Sequence, residues 1–205
     1  NLVSATINYL EWLGFENVLD MDDQDPETLE EDIQIDTKNR LLVIEVKGIG
    51  GTSKDTECNQ ISKIRYRRAE ERGKFDVFGL YIVNHQRHLP PNNRENPPFT
   101  KEQIRDAIND KRGLLTTYQL FNLYFSIQDG LITKEEAREE IFSYGLINFK
   151  PANLVLLGSV EKVFLKGMVF LMELKETSLQ KNETLFIERN GKFQIINIED
   201  IQVDD

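Results

Sequence analysis

Residues 31–48 read Glu31-Asp32-Ile33-Gln34-Ile35-Asp36-Thr37-Lys38-Asn39-Arg40-Leu41-Leu42-Val43-Ile44-Glu45-Val46-Lys47-Gly48. Two β-forming runs, 33–35 and 41–44, flank a polar break at 37–40, which is the pattern of a hairpin. A two-residue turn at Lys38 and Asn39 makes Thr37 face Arg40, and the same register carried outward makes Ile33 face Ile44. Asp32 then lies opposite Glu45, with Lys47 two residues further along the same strand and on the same face. Facing carboxylates repel unless something positive sits between them. A divalent cation with oxygen ligands meets that need, and Lys47 is placed to meet the water or phosphate such an ion holds. Residues 41–46 are nearly all apolar, as in a strand buried on both faces, so a carboxylate and an amine at its end call for a reason.

Asp32 followed by Glu45-Val46-Lys47 resembles the PD-(D/E)xK nuclease superfamily, the restriction-endonuclease-like fold, whose signature is an acid on one strand and Glu-x-Lys on the next. The resemblance implies that Asp32 and Glu45, helped by the backbone carbonyl of Val46, hold Mg2+, with Mn2+ as a substitute. It implies that Lys47 orients or deprotonates the attacking water, or offsets charge growing on the phosphate. Families of this fold often place a Gln or Lys on the next helix near the site, which singles out Gln60 as a further catalytic candidate and Lys63 beside it. Gln60, Lys63 and Arg67 are spaced to share one helix face, so Lys63 and Arg67 are candidate DNA contacts. The ordinary reading of these three is the polar side of a helix whose Cys58, Ile61, Ile64 and Ala69 pack on the sheet.

A second stretch, residues 81–91 followed by Arg94 and by residues 114–117, resembles a restriction-endonuclease-like subgroup with an N-H…PP…R loop after the core strand. It adds Asn84 and His85 as candidate nucleic-acid contacts at a strand end, where they equally suit the start of a turn. One departure stands out. Many members carry a metal-reaching glutamate on the first helix, but here Val3 or Ser4 stands where it is expected, and Glu11 lies near the helix end.

Charge and composition bound the function classes. The net charge of −10 is concentrated: ten acids and no Lys or Arg lie between Glu16 and Asp36, and the rest of the chain balances. Most of these acids read as a solvated approach to the hairpin. Residues 54–74 hold seven basic side chains against four acidic ones, enough for a helix that meets phosphates. No apolar run reaches the roughly 18–20 residues of a membrane span. Cys58 is the single cysteine, so a disulfide framework and a cysteine zinc site are excluded and a cytoplasmic setting is expected. A chain that starts with Asn and shows no signal-peptide pattern reads as part of a longer protein.

Outward from the hairpin, the periodicity predicts a helix over 2–13 closed by Gly14, a strand within 15–21, and a helix over 54–72 closed by Gly73. A strand over 75–83, a helix over 100–111 capped by Thr100, a strand at 114–116 and helices over 118–127 and 133–144 follow. The loop 48–54 lacks the Gly-Lys-Ser/Thr order of a phosphate loop and is expected to be a mobile cover over the site. From 151 the texture changes to short strands at 155–157, 160–165, 168–174, 184–188, 193–198 and 201–203, with a turn signal at Asn190-Gly191. Their spacing suggests a small β-barrel, resembling in shape the β-barrel domain of translational GTPases without implying their activity.

The expectation is therefore an α/β restriction-endonuclease-like αβββαβ core with extra α/β elements over residues 1–150, followed by a small all-β barrel over 151–205. The expected function is that of a Mg2+-dependent nuclease hydrolysing DNA phosphodiester bonds. The alternative is a nuclease-like scaffold or binding module within a larger protein. Further domains of the same protein or a protein partner are expected, a homo-oligomer is compatible, and a membrane is not.

Overall fold

A computed structural model describes residues 1–24, 31–151, 154–174, 178–189 and 192–203, with the side chains of Arg189 and Lys192 excepted. The Asn190-Gly191 turn signal and the acids Asp25, Glu27 and Glu30 lie outside the described residues. The chain divides into two compact units, Asn1–Lys150 and Pro151–Asp205.

The first unit is built on a six-stranded mixed sheet. Its elements are α1 (Leu2–Leu13), β1 (Val18–Asp20), α2 (Met21–Gln24), β2 (Ile33–Asp36), β3 (Leu41–Gly48), α3 (Asp55–Arg72), β4 (Val77–Asn84), α4 (Lys101–Asn109), β5 (Gly113–Thr116), α5 (Thr117–Gln128), α6 (Lys134–Glu140) and β6 (Gly145–Leu146). The strands lie side by side in chain order. The β1–β2 and β2–β3 pairs are antiparallel, and β3 to β6 run parallel. The hairpin has the register read from its turn: Ile33 pairs with Ile44 and Asp36 with Leu41, and Thr37 N–H donates to the Arg40 carbonyl.

Residues 41–46 of β3 are all buried, as a central strand covered on both faces must be. Alternate side chains feed two cores. Leu42, Ile44 and Val46 join Ile33, Ile35, Leu80 and Ile82 under α1, α5 and α6, while Leu41 and Val43 join Tyr81, Val83 and Leu114 under α3 and α4. Each fully buried Ile or Leu contributes about 1.5–3 kcal/mol. Cys58, Ile61, Ile64 and Ala69 are the buried face of α3. Gly79 on β4 lets that helix come close, because a Cβ there would meet Ile61 Cγ1 at 3.0 Å. The β5-to-β6 crossover uses α5 and α6 on the face opposite α3 and α4 while stepping across the sheet in the same direction, so its hand is the reverse of the two before it.

The helix ends follow their chemistry. Asn1 accepts the Ser4 N–H at the start of α1, and Gly14 and Gly73 close α1 and α3 in the left-handed conformation. Thr100, Thr116 and Thr133 each open a helix with a reciprocal capping box. The four-residue α2 and the two-residue β6 lack any periodic signal in the sequence.

The second unit holds β7 (Val160–Phe164) paired with β8 (Val169–Met172), and β9 (Thr184–Arg189) paired with β10 (Lys192–Asn197), both antiparallel. Residues 155–157 and 201–203, expected as strands, are not extended ladders. Among the described residues these pairings amount to two separate hairpins, and closure into a barrel is not among them. None of the described residues of this unit is buried.

Candidate functional site

The site lies where β2 begins and β3 ends. The regular ladder stops at Ile33, because Asp32 N–H donates to the Ile44 carbonyl. The Val46 N–H, which an unbroken register would give to the carbonyl of residue 31, instead donates to Asp32 Oδ2 at 2.6 Å. Asp32 is thus fixed by its own side chain against β3, and the simple picture of two carboxylates squarely opposed gives way to one carboxylate folded onto the neighbouring backbone.

Glu45 is 2 % exposed and its Oε1 is ion-paired with Lys47 Nζ, while Oε2 is buried with no hydrogen-bond partner. A buried carboxylate oxygen without a donor is costly, and it leaves Glu45 an acceptor able to take a cation or a donor. Lys47 stands at the surface end of the same strand, its side chain 36 % exposed.

The electrostatics bind the three into one unit. Burial pushes the Asp32 carboxyl above the usual carboxylate range against the opposing pull of the Val46 N–H and of Lys47, and the charges of Asp22 and Asp20 push it further. Burial likewise raises Glu45, outweighing its bond to Lys47, with the Asp32 charge adding to the rise. Burial alone would lower Lys47, but its bond to Glu45 and the charges of Glu45, Asp32 and Glu57 raise it above the ordinary lysine value. Two carboxylates that resist ionisation beside a firmly protonated amine form a pocket short of positive charge.

Asp20, at the end of β1, was not separable in the sequence from the other acids. It pairs with Ile33, its Oδ1 is buried without a partner, and its charge reaches Asp32. The strand end is the only sequence signal that could have selected it. Glu11, on α1, is exposed.

The helix after β3 is locked to β2 by charge. Arg68 Nε lies 2.9 Å from Glu31 Oε1, which also accepts from Gln34 Nε2 at 2.7 Å, and Arg72 joins Asp36 and Asp76 at 3.1 Å each. Glu31, adjacent to Asp32, is therefore a buried structural acid that sequence reasoning left among the solvated ones. Gln60 is half-buried on α3, whereas Lys63 and Arg67 are exposed. Lys63 and Arg67 lie on the outer surface of the helix.

Asn84 ends β4 beside Gly48 of β3, and its Oδ1 accepts from Arg94 Nη1 at 2.7 Å. His85 is 3 % exposed, and its Nε2 donates to the Glu95 carbonyl at 2.8 Å, leaving Nδ1 buried and unbonded. Burial, and to a lesser degree Arg94, lowers the His85 pKa even though the Glu95 carbonyl favours the cation, so the ring is neutral near pH 7. Both residues tie the 85–98 loop to the sheet end. The loop 48–54, expected to move freely, is pinned instead: Ile49 N–H donates to the Asn84 carbonyl at 3.0 Å, Gln86 N–H to Gly51 at 3.0 Å and Arg87 N–H to Ile49 at 3.2 Å.

Among the described residues no three His, Cys, Asp or Glu side chains gather into a ready-made metal cage. A pair of carboxylates suits Mg2+, which keeps several waters and is commonly bound through one or two carboxylates plus substrate phosphate. Among the described residues no helix is long and apolar enough to cross a membrane. Comparison with models of known families, with curated proteins and with solved structures returned no match.

Proposed function

We propose that this chain is a metal-dependent nuclease of the restriction-endonuclease-like kind, hydrolysing DNA phosphodiester bonds at Asp32, Glu45 and Lys47. The observation that carries the reading is the buried, unpartnered Oε2 of Glu45 beside Asp32 and Lys47 at the end of a fully buried strand. The helix–sheet order from α1 to β4, with β3 and β4 parallel and α3 between them, is what the αβββαβ core requires.

Asp32 and Glu45 would hold Mg2+ or Mn2+, with the Val46 carbonyl as a third oxygen. The ion, when bound, supplies Lewis-acid polarisation of the scissile phosphate and a water of lowered pKa. Asp32 is pre-oriented for this by the Val46 N–H, which holds one carboxylate oxygen and fixes the rotamer. Lys47 is held as a cation by its neighbours, so its role is to offset charge building on the phosphate and to donate hydrogen bonds to it, in preference to taking a proton. Gln60, half-buried on α3, would make a supporting contact, and the exposed Lys63 and Arg67 would meet phosphates further along the strand.

A second reading keeps the fold and drops the turnover. The second unit buries none of its described residues, and Val163, Phe164, Met168 and Val169 are exposed. Exposed apolar surface of that kind marks a protein–protein interface, as in a scaffold within a larger protein. Incubating plasmid and linear DNA with the chain, with and without Mg2+ or Mn2+, separates the two. Cleavage that needs the ion and is lost in Glu45→Ala supports the nuclease, and no cleavage with either metal supports the scaffold.

A further inference from the structure

A cleft of about 220 Å3 opens at the C-terminal ends of β4 and β5, lined by Asn84, Pro91, Arg94, Thr117, Tyr118 and Phe121. Crevices at the C-terminal ends of parallel strands are where open α/β sheets take ligands. The β3–β4 register puts Gly48 beside Asn84, so this cleft lies at the same end of the sheet as Glu45 and Lys47, on the face that α5 covers, while Glu45 and Lys47 alternate onto the α3 face.

One wall of the cleft is aromatic. The Tyr118 and Phe121 rings are nearly parallel, 13° apart with centroids 6.2 Å apart, and Phe125 meets Phe121 edge-on at 5.1 Å. Phe121 is 57 % exposed and Phe125 43 %. The same helix sends Leu120 and Leu123 into the core, so Phe121 and Phe125 stand on its outward face. The Tyr118 hydroxyl donates to Asn92 Oδ1 at 2.8 Å, which fixes that ring at the mouth of the cleft. The opposite wall is polar and cationic: the Arg94 guanidinium is immobilised by Asn84 and by the Leu89 carbonyl at 2.9 Å.

Charge selects the occupant. In a chain of net charge −10, residues 84–94 carry two arginines and no acid, and residues 111–128 carry no acid. Flat, exposed, ordered rings beside a fixed guanidinium accept the faces of nucleobases while the cation meets the backbone. Bases within a duplex have no free faces to offer, so the surface fits an unstacked, single-stranded stretch.

We infer that the Tyr118–Phe121 cleft is a base-stacking subsite for single-stranded nucleic acid, at the same end of the sheet as the Asp32–Glu45–Lys47 site, which a strand crossing that end would reach. This deepens the nuclease reading by naming its substrate class, and it rests on that reading only for where the strand leads.

The test is fluorescence anisotropy of a fluorescein-labelled oligo-dT and of a labelled duplex, titrated with the full chain in EDTA, where binding is read without cleavage. Stacking contributes about 1–3 kcal/mol per base, so Phe121→Ala should weaken oligo-dT binding about 5- to 150-fold. Duplex binding should stay within twofold, and Tyr118→Ala should weaken oligo-dT binding as Phe121→Ala does. Phe121 is largely exposed, and an unchanged melting temperature of the variant confirms that folding is intact. No oligo-dT binding by the parent, an unchanged affinity in Phe121→Ala and Tyr118→Ala, or an equal loss on the duplex each overturns the inference. So does a drop in oligomeric mass in Phe121→Ala without a change in oligo-dT binding, which would assign the rings to a second copy of the chain. Phe121-dependent binding by a chain that never cleaves would keep the subsite and remove the nuclease. Metal-dependent cleavage lost in Glu45→Ala, together with Phe121-independent binding, would do the reverse.

Discussion

Asp32 Oδ2 accepts the Val46 N–H at 2.6 Å, so the acid of one strand is anchored to the backbone between the Glu and the Lys of the next. That bond converts a hairpin register into a fixed cluster, because Asp32 is held by the strand that carries Glu45 and Lys47. Asp32→Asn keeps an oxygen to accept this N–H and removes the charge. The variant should melt within a few degrees of the parent yet lose metal-dependent cleavage by at least about 100-fold, since it loses a first ligand where outer-sphere changes alone cost 10–100-fold. A thermal shift assay run beside a cleavage assay checks both halves.

The raised carboxyls set a pH dependence with a definite sign. Asp32 and Glu45 hold their protons more tightly in the folded chain than in the unfolded one. The folded state is therefore favoured below the ordinary carboxylate range, and stability falls as pH rises from about 4 through the raised values. Lys47 acts in the same direction at the far end of the scale: its contribution is complete below about 10.4 and is lost as pH rises through its raised value. Metal-free protein should thus melt higher at mildly acidic pH than at neutral pH, allowing for other groups, and Glu45→Gln should flatten that slope. Mn2+ affinity should fall over the same acidic window, because the ligands must be ionised to bind. Melting curves and metal titrations across pH 4–7 decide it.

The Glu31–Arg68 pair is a matter of stability and not of chemistry. Glu31 has a fully buried side chain and one oxygen already without a donor. Arg68→Ala should cost about 3–5 kcal/mol by leaving a buried charge unpaired, while a joint Glu31→Leu and Arg68→Leu replacement should be close to neutral. Urea denaturation of the three proteins measures the difference.

The close approach of α3 to β4 depends on Gly79. An added Cβ meets Ile61 Cγ1 at 3.0 Å and the Ile61 carbonyl at 3.5 Å. Gly79→Val overpacks this contact and should destabilise by about 1–3 kcal/mol, again by denaturation. Ile61→Val in the same chain should recover little of the loss, since it removes Cδ1 and leaves in place the Cγ1 that makes the nearer contact.

Much of this was legible in the chain because the signals were local. The hairpin register followed from its turn, α1 and α3 from periodicity closed by Gly14 and Gly73, and α4 from Thr100 and Gln103. What stayed hidden depends on contacts between distant residues. Asp20 became distinguishable from Asp22 and Asp23 only when β1 paired with β2, and Glu31 became a buried acid only when Arg68 swung over it from α3. The irregular step at Asp32 could not be foreseen, because it is a competition between a side chain and a carbonyl for one N–H. Nor could the pinning of the 48–54 loop, whose glycines suggested freedom while its backbone bonds reach across to 84–87. The helix expected over 118–127 carried no assignment of its faces, and the outward projection of Phe121 and Phe125 emerges only from its packing on the sheet.

The most direct measurement is cleavage of plasmid and linear DNA, and of single-stranded DNA, by the full chain in Mg2+ and in Mn2+, beside Glu45→Ala and Lys47→Ala. The expected result is cleavage by the parent that disappears with EDTA and falls by at least about 100-fold in each variant, as loss of a metal ligand or of a charge-stabilising group requires. Cleavage that survives both substitutions would contradict the assignment of the site to Asp32, Glu45 and Lys47.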